Sequence, residues 1–257
     1  MAKESSSLNM LITGSNGKLG RQLRKVFAGA KCPERKSLDM RNQDAVRQWI
    51  SKLEPEVVIH AAALTGIRQC EEDQAQAWET NVSGTEFLLK ACKEFSPSTY
   101  FVYISTACVF YGDRGDYAES DLPHPKNYYS LTKLLAETAT RNSGLKQWLI
   151  IRTNFVPREK WPYPAAFTDR FGTYLYADEL ALAIKSVLEQ KLTGILHVCG
   201  TKRMSMYELA RLTTQGVKPM TMSGYSGPPL TVDMTLVSQR INAFELSSRS
   251  AEYIEAA

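Results

Sequence analysis

The sequence predicts an α/β fold with a doubly wound, mainly parallel sheet and a small C-terminal substrate-binding portion. Three observations predict it. Short apolar runs alternate with longer amphipathic stretches along most of the chain. Three glycines, Gly14, Gly17 and Gly20, follow the first apolar run and open the first amphipathic stretch. Tyr129 and Lys133, four residues apart, share one face of a later helical pattern. Such alternation covers both faces of a sheet with helices and leaves ligands at the carboxyl ends of the strands.

Taken in order, Leu8 to Thr13 reads as the first strand, Lys18 to Ala28 as a helix, and Lys31 to Arg35 as a second strand-like piece. A helix over Asp44 to Leu53 leads to the strand Val57 to His60. A long helical pattern from Gln74 to Phe95 is interrupted by Asn81, a residue type that bends a helix or caps its second half. Tyr100 to Ser105 is the next strand. The helix of Tyr129 and Lys133 ends before Gly144, and Trp148 to Arg152 follows as a strand. There the texture changes, and Pro157, Pro162 and Pro164 with Trp161 and Tyr163 read as a loop lid. Leu180, Ile184, Val187 and Leu188 mark one face of a helix over Asp178 to Gln190. A strand over Ile195 to Val198, a helix near Ser205 to Thr214 and a Gly/Pro-rich stretch at Ser223 to Pro229 complete the chain. The expected division is a Rossmann-type dinucleotide-binding domain of residues 1–153 and 177–194, with the reduced substrate-binding portion in 154–176 and 195–257.

At 257 residues, 44% apolar and 23% charged, the chain can bury one large core or one core with a small appendage. Its net charge of +4 comes from 31 basic and 27 acidic residues that interleave, which argues against a nucleic-acid stripe and leaves a mild pull on anions. Cys32, Cys70, Cys92, Cys108 and Cys199 show no CxxC and no metal-ligand spacing with His60, His124 or His197; they read as reduced, buried small hydrophobes, and no metal is expected. The polar start Met1 to Ser7 lacks an apolar targeting core, and no run approaches the roughly 18 apolar residues of a membrane span. These features describe a soluble, cytoplasmic protein without nucleic-acid or membrane partners.

The glycine turn supplies the first functional expectation. Missing side chains at Gly14, Gly17 and Gly20 let the backbone turn tightly and approach a pyrophosphate over a helix N-terminus, with Asn16, Lys18 and Leu19 in the same cradle. Glu34, Arg35 and Lys36 lie where the second strand ends, the place from which side chains meet the adenosine ribose. Glu34 suits a 2'-hydroxyl, whereas Arg35 and Lys36 suit a 2'-phosphate, so NADPH is preferred over NADH. Asp39 is a candidate for the adenine amino group or the N-cap of the next helix. Ala61, Ala62 and Ala63 allow close packing against the cofactor, and His60 before them reads as a structural polar group.

Tyr129 and Lys133 supply the second. An ammonium one turn away favours the phenolate and can hold a ribose, which would make a phenol of pKa about 10 usable as a proton donor near neutrality. Ser105 and Thr106 bring two hydroxyls to the end of a strand, where one could hold a substrate carbonyl. Asn81 at its helix break could anchor a water linking Lys133 to solvent. Tyr128 is a rival to Tyr129, but the spacing to Lys133 favours Tyr129.

Thr13-Gly-Ser-Asn-Gly-Lys-Leu-Gly20, His60-Ala-Ala-Ala63, Asn81-Val-Ser-Gly-Thr85, Ser105-Thr-Ala-Cys-Val-Phe110 and Tyr129-Ser-Leu-Thr-Lys133 together resemble the extended short-chain dehydrogenase/reductases, above all the dTDP-4-dehydrorhamnose reductase and sugar-nucleotide-binding branch. The resemblance spans residues 9 to 200 and is most specific before residue 153. It implies Thr106, Tyr129 and Lys133 as the catalytic trio, and Thr65, Thr106, Ala107, Tyr129 and Phe155 as substrate contacts. The implied reaction is hydride delivery from NADPH or NADH to the C4 ketone of a nucleotide-linked deoxysugar; the partner is that nucleotide sugar, and a homodimer is the assembly such relatives suggest. Departures are specific. An acid and an aromatic of the family are Ala107 and Cys108 here; Arg68 stands where the family carries a carboxylate. The usual substrate-domain helix between Arg152 and Phe171 is missing, and Gly227 to Asp233 lacks the family's arginine. Two other readings follow: an epimerase or other carbonyl reductase of the same class, and a non-catalytic dinucleotide-binding regulatory subunit.

Overall fold

Five parallel strands carry the fold, and the computed structural model describes them within residues 9–247. Leu8, the polar start before it and the last ten positions lie outside the described residues. In chain order the first elements are β1 (Met10–Thr13), α1 (Lys18–Val26), α2 (Gln43–Leu53), β2 (Val57–His60), α3 (Ile67–Glu72) and α4 (Gln74–Trp78). A π-helical turn over Glu79–Ser83 joins α4 to α5 (Gly84–Phe95), followed by β3 (Tyr100–Ile104), a 3-10 turn (Ala107–Val109), α6 (Tyr128–Arg141) and β4 (Gln147–Arg152). Then come β5 (Phe155–Val156), β6 (Ala165–Phe167), β7 (Phe171–Gly172), β8 (Leu175–Tyr176), α7 (Ala177–Glu189) and β9 (Gly194–His197). The chain closes with β10 (Met204–Ser205), α8 (Met206–Thr213), β11 (Lys218–Met220) and β12 (Asp233–Met234).

The main sheet has the order β1-β2-β3-β4-β9, all parallel. Its strands are buried on both faces, so successive side chains feed two cores. Met10, Ile12, Val57, Ile59, Tyr100, Val102, Leu149 and Ile151 pack with Leu19 and Leu23 of α1 and Leu180, Ile184 and Val187 of α7. Leu11, Val58, Phe101, Tyr103 and Ile150 pack on the other face with Val46 and Ile50 of α2, Leu88 and Leu89 of α5 and Ala136 of α6. Each Leu or Ile so buried contributes about 1.5–3 kcal/mol relative to exposure.

The strand expected over Lys31 to Arg35 is reduced to one parallel bridge between Lys31 and Leu11. Pro33 has no N–H to donate, and Ser37 turns back on the Glu34 carbonyl at 2.9 Å, so no ladder extends. Because Leu11 pairs with Lys31 on one side and Val58 on the other, the chain still reverses its winding at β1. The switch point, where open α/β sheets bind ligands, lies at the carboxyl end of β1. At the far edge β9 draws residues 195–197 into the main sheet, although the sequence assigns them to the smaller portion; Leu196 fills the core beneath α7.

The remaining strands form small sheets of order β10-β7-β12, β11-β6 and β5-β8. No helix occupies residues 153–170, as the departure from the family pattern implies. The Pro-rich segment is not a free lid. Ala165–Phe167 pairs in parallel with Lys218–Met220, the Trp161 N–H donates to Thr214 Oγ1 at 2.7 Å, and Trp161 packs on Ala166, Ala210 and Val217. Burying an indole outweighs leaving the segment loose in solvent. Among the described residues no helix is long and apolar enough to cross a membrane.

Two of the charges buried in this fold pair with each other. Arg152 of β4 and Glu137 of α6 form a bidentate pair, with Nη2 to Oε2 at 2.7 Å and both side chains 2% exposed. Removing one member leaves the other charge buried and alone. Arg152→Met is expected to cost about 3–5 kcal/mol in urea unfolding.

Candidate active site

The turn after β1 is built as a ligand cradle. Gly14 has φ +69°, and a Cβ there would lie 2.6 Å from the Ala62 nitrogen; a Cβ on Gly20 would lie 2.2 Å from the Gly14 carbonyl oxygen. Only glycine allows the turn to close against both the start of α1 and the loop after β2. Gly17, the N-cap of α1, provides no side-chain cap, and no acidic residue stands in the first turn. The amino end of α1 is therefore open to an anion. Ser15 ties the turn to the adjacent loop, donating to the carbonyls of Cys32 at 3.3 Å and Pro33 at 3.2 Å.

A crevice of about 250 Å³ opens over this turn. It brings together Gly14, Asn16, Gly17, Glu34, Arg35, Asp39, Ala61, Ala62 and Ala63 from the expected set. Lys18 and Gly20 lie in the first turn of α1, while Leu19 turns into the core. Lys36 is outside the lining and pairs with Glu34 at 3.1 Å. Arg35 approaches Asp39 at 3.6 Å, and Arg41 grips it at 2.7 Å, holding its carboxyl down at about 2. The N-cap of α2 is Asn42, which accepts from the Ala45 N–H at 3.0 Å, so Asp39 is not that cap. The uncapped helix end, the glycine-only turn and the cations beside the crevice fit a dinucleotide.

Behind the crevice a chain of hydrogen bonds fixes the strand ends. Thr85 Oγ1 donates to the Asn81 carbonyl at 2.7 Å, which leaves it to accept from His60 Nε2 at 2.9 Å; His60 Nδ1 then accepts from Thr13 Oγ1 at 2.6 Å. Burial and the Lys133 cation hold the imidazole neutral, with its pKa down at about 3. His60 is a fully satisfied strut. The Asn81 amide is likewise committed: it donates to the Leu64 carbonyl and to Thr132 Oγ1, each at 2.9 Å, and accepts from the Leu64 N–H at 2.7 Å. The π-helical turn that contains Asn81 thus joins a crevice residue, Leu64, to the helical turn between Tyr129 and Lys133.

The Tyr103–Thr106 segment anchors the start of α6. Lys133 Nζ donates to the Ile104 carbonyl at 2.7 Å and lies 4.2 Å from the centre of the Tyr103 ring. The Thr106 hydroxyl stands near enough to the half-buried Tyr129 phenol to favour its ionised form. The Tyr128 N–H is taken by Glu71 at 2.8 Å. The sequence expects the ammonium to draw the phenol toward neutrality, yet the phenol is pushed well above its ordinary value by burial, with Cys108 also raising it and only Thr106 opposing. Burial brings Lys133 itself down from 10.5 to about 7, against the pull of Glu137. Desolvation outweighs pairing because the ammonium is 3% exposed and turned to Ile104.

The expected substrate contacts disperse. Thr106 and Tyr129 stand together, Ala107 is fully buried in the 3-10 turn, Thr65 is exposed between β2 and α3, and Phe155 packs on the main core. Cys108 Sγ meets Met234 Sδ at 3.3 Å, and the Asn154 amide donates to the Met234 carbonyl at 2.7 Å, so β12 backs this side. Residues the sequence reading missed include Leu38, Met40 and Thr80 of the crevice and Glu137 behind Lys133. Glu137 had a signal, four residues beyond Lys133; the apolar crevice residues had none.

A switch-point crevice over a glycine turn, with a Tyr/Lys pair on the helix after β3, defines an α/β protein of the short-chain dehydrogenase/reductase type. The chain belongs to the RmlD substrate binding domain family, whose pattern matches residues 8–161. It is similar to dTDP-4-dehydrorhamnose reductase of Aggregatibacter actinomycetemcomitans, 28% identical over 227 residues covering 78% of this chain and 76% of that one. It is also similar to methionine adenosyltransferase 2 subunit beta of Rattus norvegicus, 25% identical with 95% and 84% covered. The crystal structure of dTDP-4-dehydrorhamnose reductase from Bacillus anthracis in complex with NADP shares the fold, with a TM-score of 0.85, 24% identity, and coverage of 96% of this chain and 98% of that one.

The depressed Lys133 value has a thermodynamic signature. The folded protein releases this proton at about pH 7, whereas the unfolded chain keeps it to 10.5, so unfolding takes up a proton between these limits. Stability is expected to rise with pH across that window in the wild type. Denaturant melts of Lys133→Met should lack that component of the rise.

Proposed function

We propose that this chain is a reductase that uses NADPH in preference to NADH and acts on a nucleotide-linked 4-keto deoxysugar, with dTDP-4-dehydrorhamnose as the nearest substrate. The observation that carries the reading is the Tyr129 phenol beside Thr106, one helical turn from a buried Lys133 on a helix that Asn81 ties to Leu64 of the glycine-turn crevice. Gly14, Asn16 and Gly17 would hold the pyrophosphate, with the open amino end of α1 toward it. Arg35 lines the crevice and would reach a 2'-phosphate by exchanging its contact with Asp39, while Lys36 lies outside. When bound, the reduced dinucleotide supplies the hydride.

Within this reading the residues divide the proton work. Burial keeps the Tyr129 phenol protonated, as a proton donor to a developing alkoxide requires. Thr106 orients that phenol and Lys133 offers its ammonium to the ribose. The division into a dinucleotide-binding domain of residues 1–153 and 177–194 and a smaller portion of 154–176 and 195–257, a cytoplasmic setting and assembly as a homodimer belong to the same proposal. A second reading, a dinucleotide-binding subunit of another enzyme, is favoured by one observation: the adenosyltransferase subunit aligns over 95% of this chain, against 78% for the reductase.

The test mixes the protein with NADPH and dTDP-4-dehydrorhamnose and follows loss of reduced-nicotinamide absorbance together with the sugar product. Turnover is expected, and Tyr129→Phe should lower kcat by about 10²-fold or more while NADPH binding persists. Binding without turnover over a panel of keto sugars would favour the subunit reading. Arg35→Ala should lower NADPH affinity about tenfold more than NADH affinity; equal losses would remove the case for a 2'-phosphate contact.

A further inference from the structure

Acidic and basic residues interleave over the chain as a whole, but the surplus of positive charge does not spread with them. Residues 18–41 hold eight lysines and arginines against two acids, Glu34 and Asp39, a net +6; the other positions hold 23 against 25, a net −2. All eight cations are exposed. The fold gathers them around the mouth of the glycine-turn crevice. Lys18 follows Gly17, a lining residue, and Arg35 lines the crevice itself. Arg24 Nη1 donates to Asn16 Oδ1 at 3.2 Å, and Arg41 holds Asp39 at 2.7 Å, both partners being crevice residues. Lys31 stands two positions before Pro33 of the lining, and Lys25 follows Arg24 in the last turn of α1.

We propose that these cations form a collar that draws the phosphates of the dinucleotide toward the crevice, setting how fast it is captured rather than how tightly it is held. The proposal rests on reading the crevice as a dinucleotide site.

A run of exposed cations is ordinarily a solvated face, and two features separate this one from that. First, a helix is stabilised by acids in its first turn and by bases in its last. Arg24 and Lys25 stand where the dipole of α1 favours them, but Lys18 is the first residue of the helix, in a turn that holds no acid. Its charge works against the helix and faces the end where an anion would sit. Second, the ion pairs present leave the field standing. Arg21 meets Glu159 at 3.2 Å and Lys36 meets Glu34 at 3.1 Å, all four side chains at least half exposed. Exposed pairs hold little, while the summed charge of a surface acts on an approaching ligand well before contact.

Distance makes the effect one of rate. Lys25 lies eight positions beyond Gly17, about 12 Å along the helix. That is too far to touch a pyrophosphate over the turn, yet within the screening length of about 30 Å at 0.01 M ionic strength. The 2'-phosphate adds about two negative charges to the pyrophosphate, so the collar accelerates NADPH more than NADH.

The experiment is stopped-flow binding of NADPH and of NADH to the full chain, followed by reduced-nicotinamide fluorescence over a range of ionic strength. Lys25→Glu/Lys31→Glu reverses two charges that line no part of the crevice and brings residues 18–41 from a net +6 to +2. At 0.01 M ionic strength its association rate constant for NADPH is expected to lie about tenfold below that of the wild type. The two should converge at 1 M, where the screening length is about 3 Å. Dissociation rate constants should agree within about twofold, and NADH should lose less than NADPH. Lys25→Gln/Lys31→Gln, with half the change in charge, should fall between wild type and reversal. Association rates that the reversal leaves unchanged, or a loss that persists at 1 M, overturn the collar while leaving the dinucleotide site intact. A wild type that binds neither nucleotide removes the site and the collar with it.

Discussion

The grip of β3 on α6 is the constraint on which the rest depends. Four consecutive residues each meet one part of the helix: the Tyr103 ring lies under the Lys133 ammonium, the Ile104 carbonyl accepts from it, Ser105 donates to Glu137, and Thr106 stands beside Tyr129. Because β3 is the middle strand of a parallel sheet, paired along its length with β2 and β4, it has no freedom to adjust. The helix therefore sits where the strand end puts it. The Asn81 amide then ties the same helix to Leu64, so that the nucleotide crevice and the Tyr/Lys pair belong to one rigid arrangement.

Much of this was readable from residue order. Strand and helix periodicity located β1, β2, β3, β4 and the helices around them, because a strand buried on both faces and a helix buried on one impose local patterns. The glycine turn was readable because close backbone approach excludes a side chain at Gly14 and Gly20. The rest depended on partners distant in the chain. Lys31 to Arg35 looks like a strand by composition, and Pro33 and the charged turn reduce it to a bridge. Trp161 and the prolines look like a lid until, some fifty positions later, Thr214 takes the Trp161 backbone N–H and Val217 packs on the indole. The proton affinity of Tyr129 follows from how deeply the tertiary fold buries it, and spacing to Lys133 says nothing of that.

The two ends of the crevice follow different physics. At the adenosine end the cations are exposed and already answered: Arg35 is 65% exposed beside Asp39, and such pairs in water are worth little, so exchanging one anion for another there is cheap. At the Tyr/Lys pair the ammonium is dehydrated while the phenol is half-buried, and each charge matters. Ala107 and Cys108 make that side apolar where they meet Met234.

The sheet of order β10-β7-β12 gathers Gly172, Met204 and Met234 from segments far apart in the chain. During synthesis the nucleotide half has all its strands once His197 has emerged, whereas the smaller sheet stays one strand short until Met234 leaves the ribosome. Until then Cys108 and Asn154 lack the partners that strand supplies, the Met234 thioether and carbonyl. A nascent chain stalled in this interval would hold its five parallel strands yet leave the thiol-bearing wall open, a target for quality control rather than for substrate.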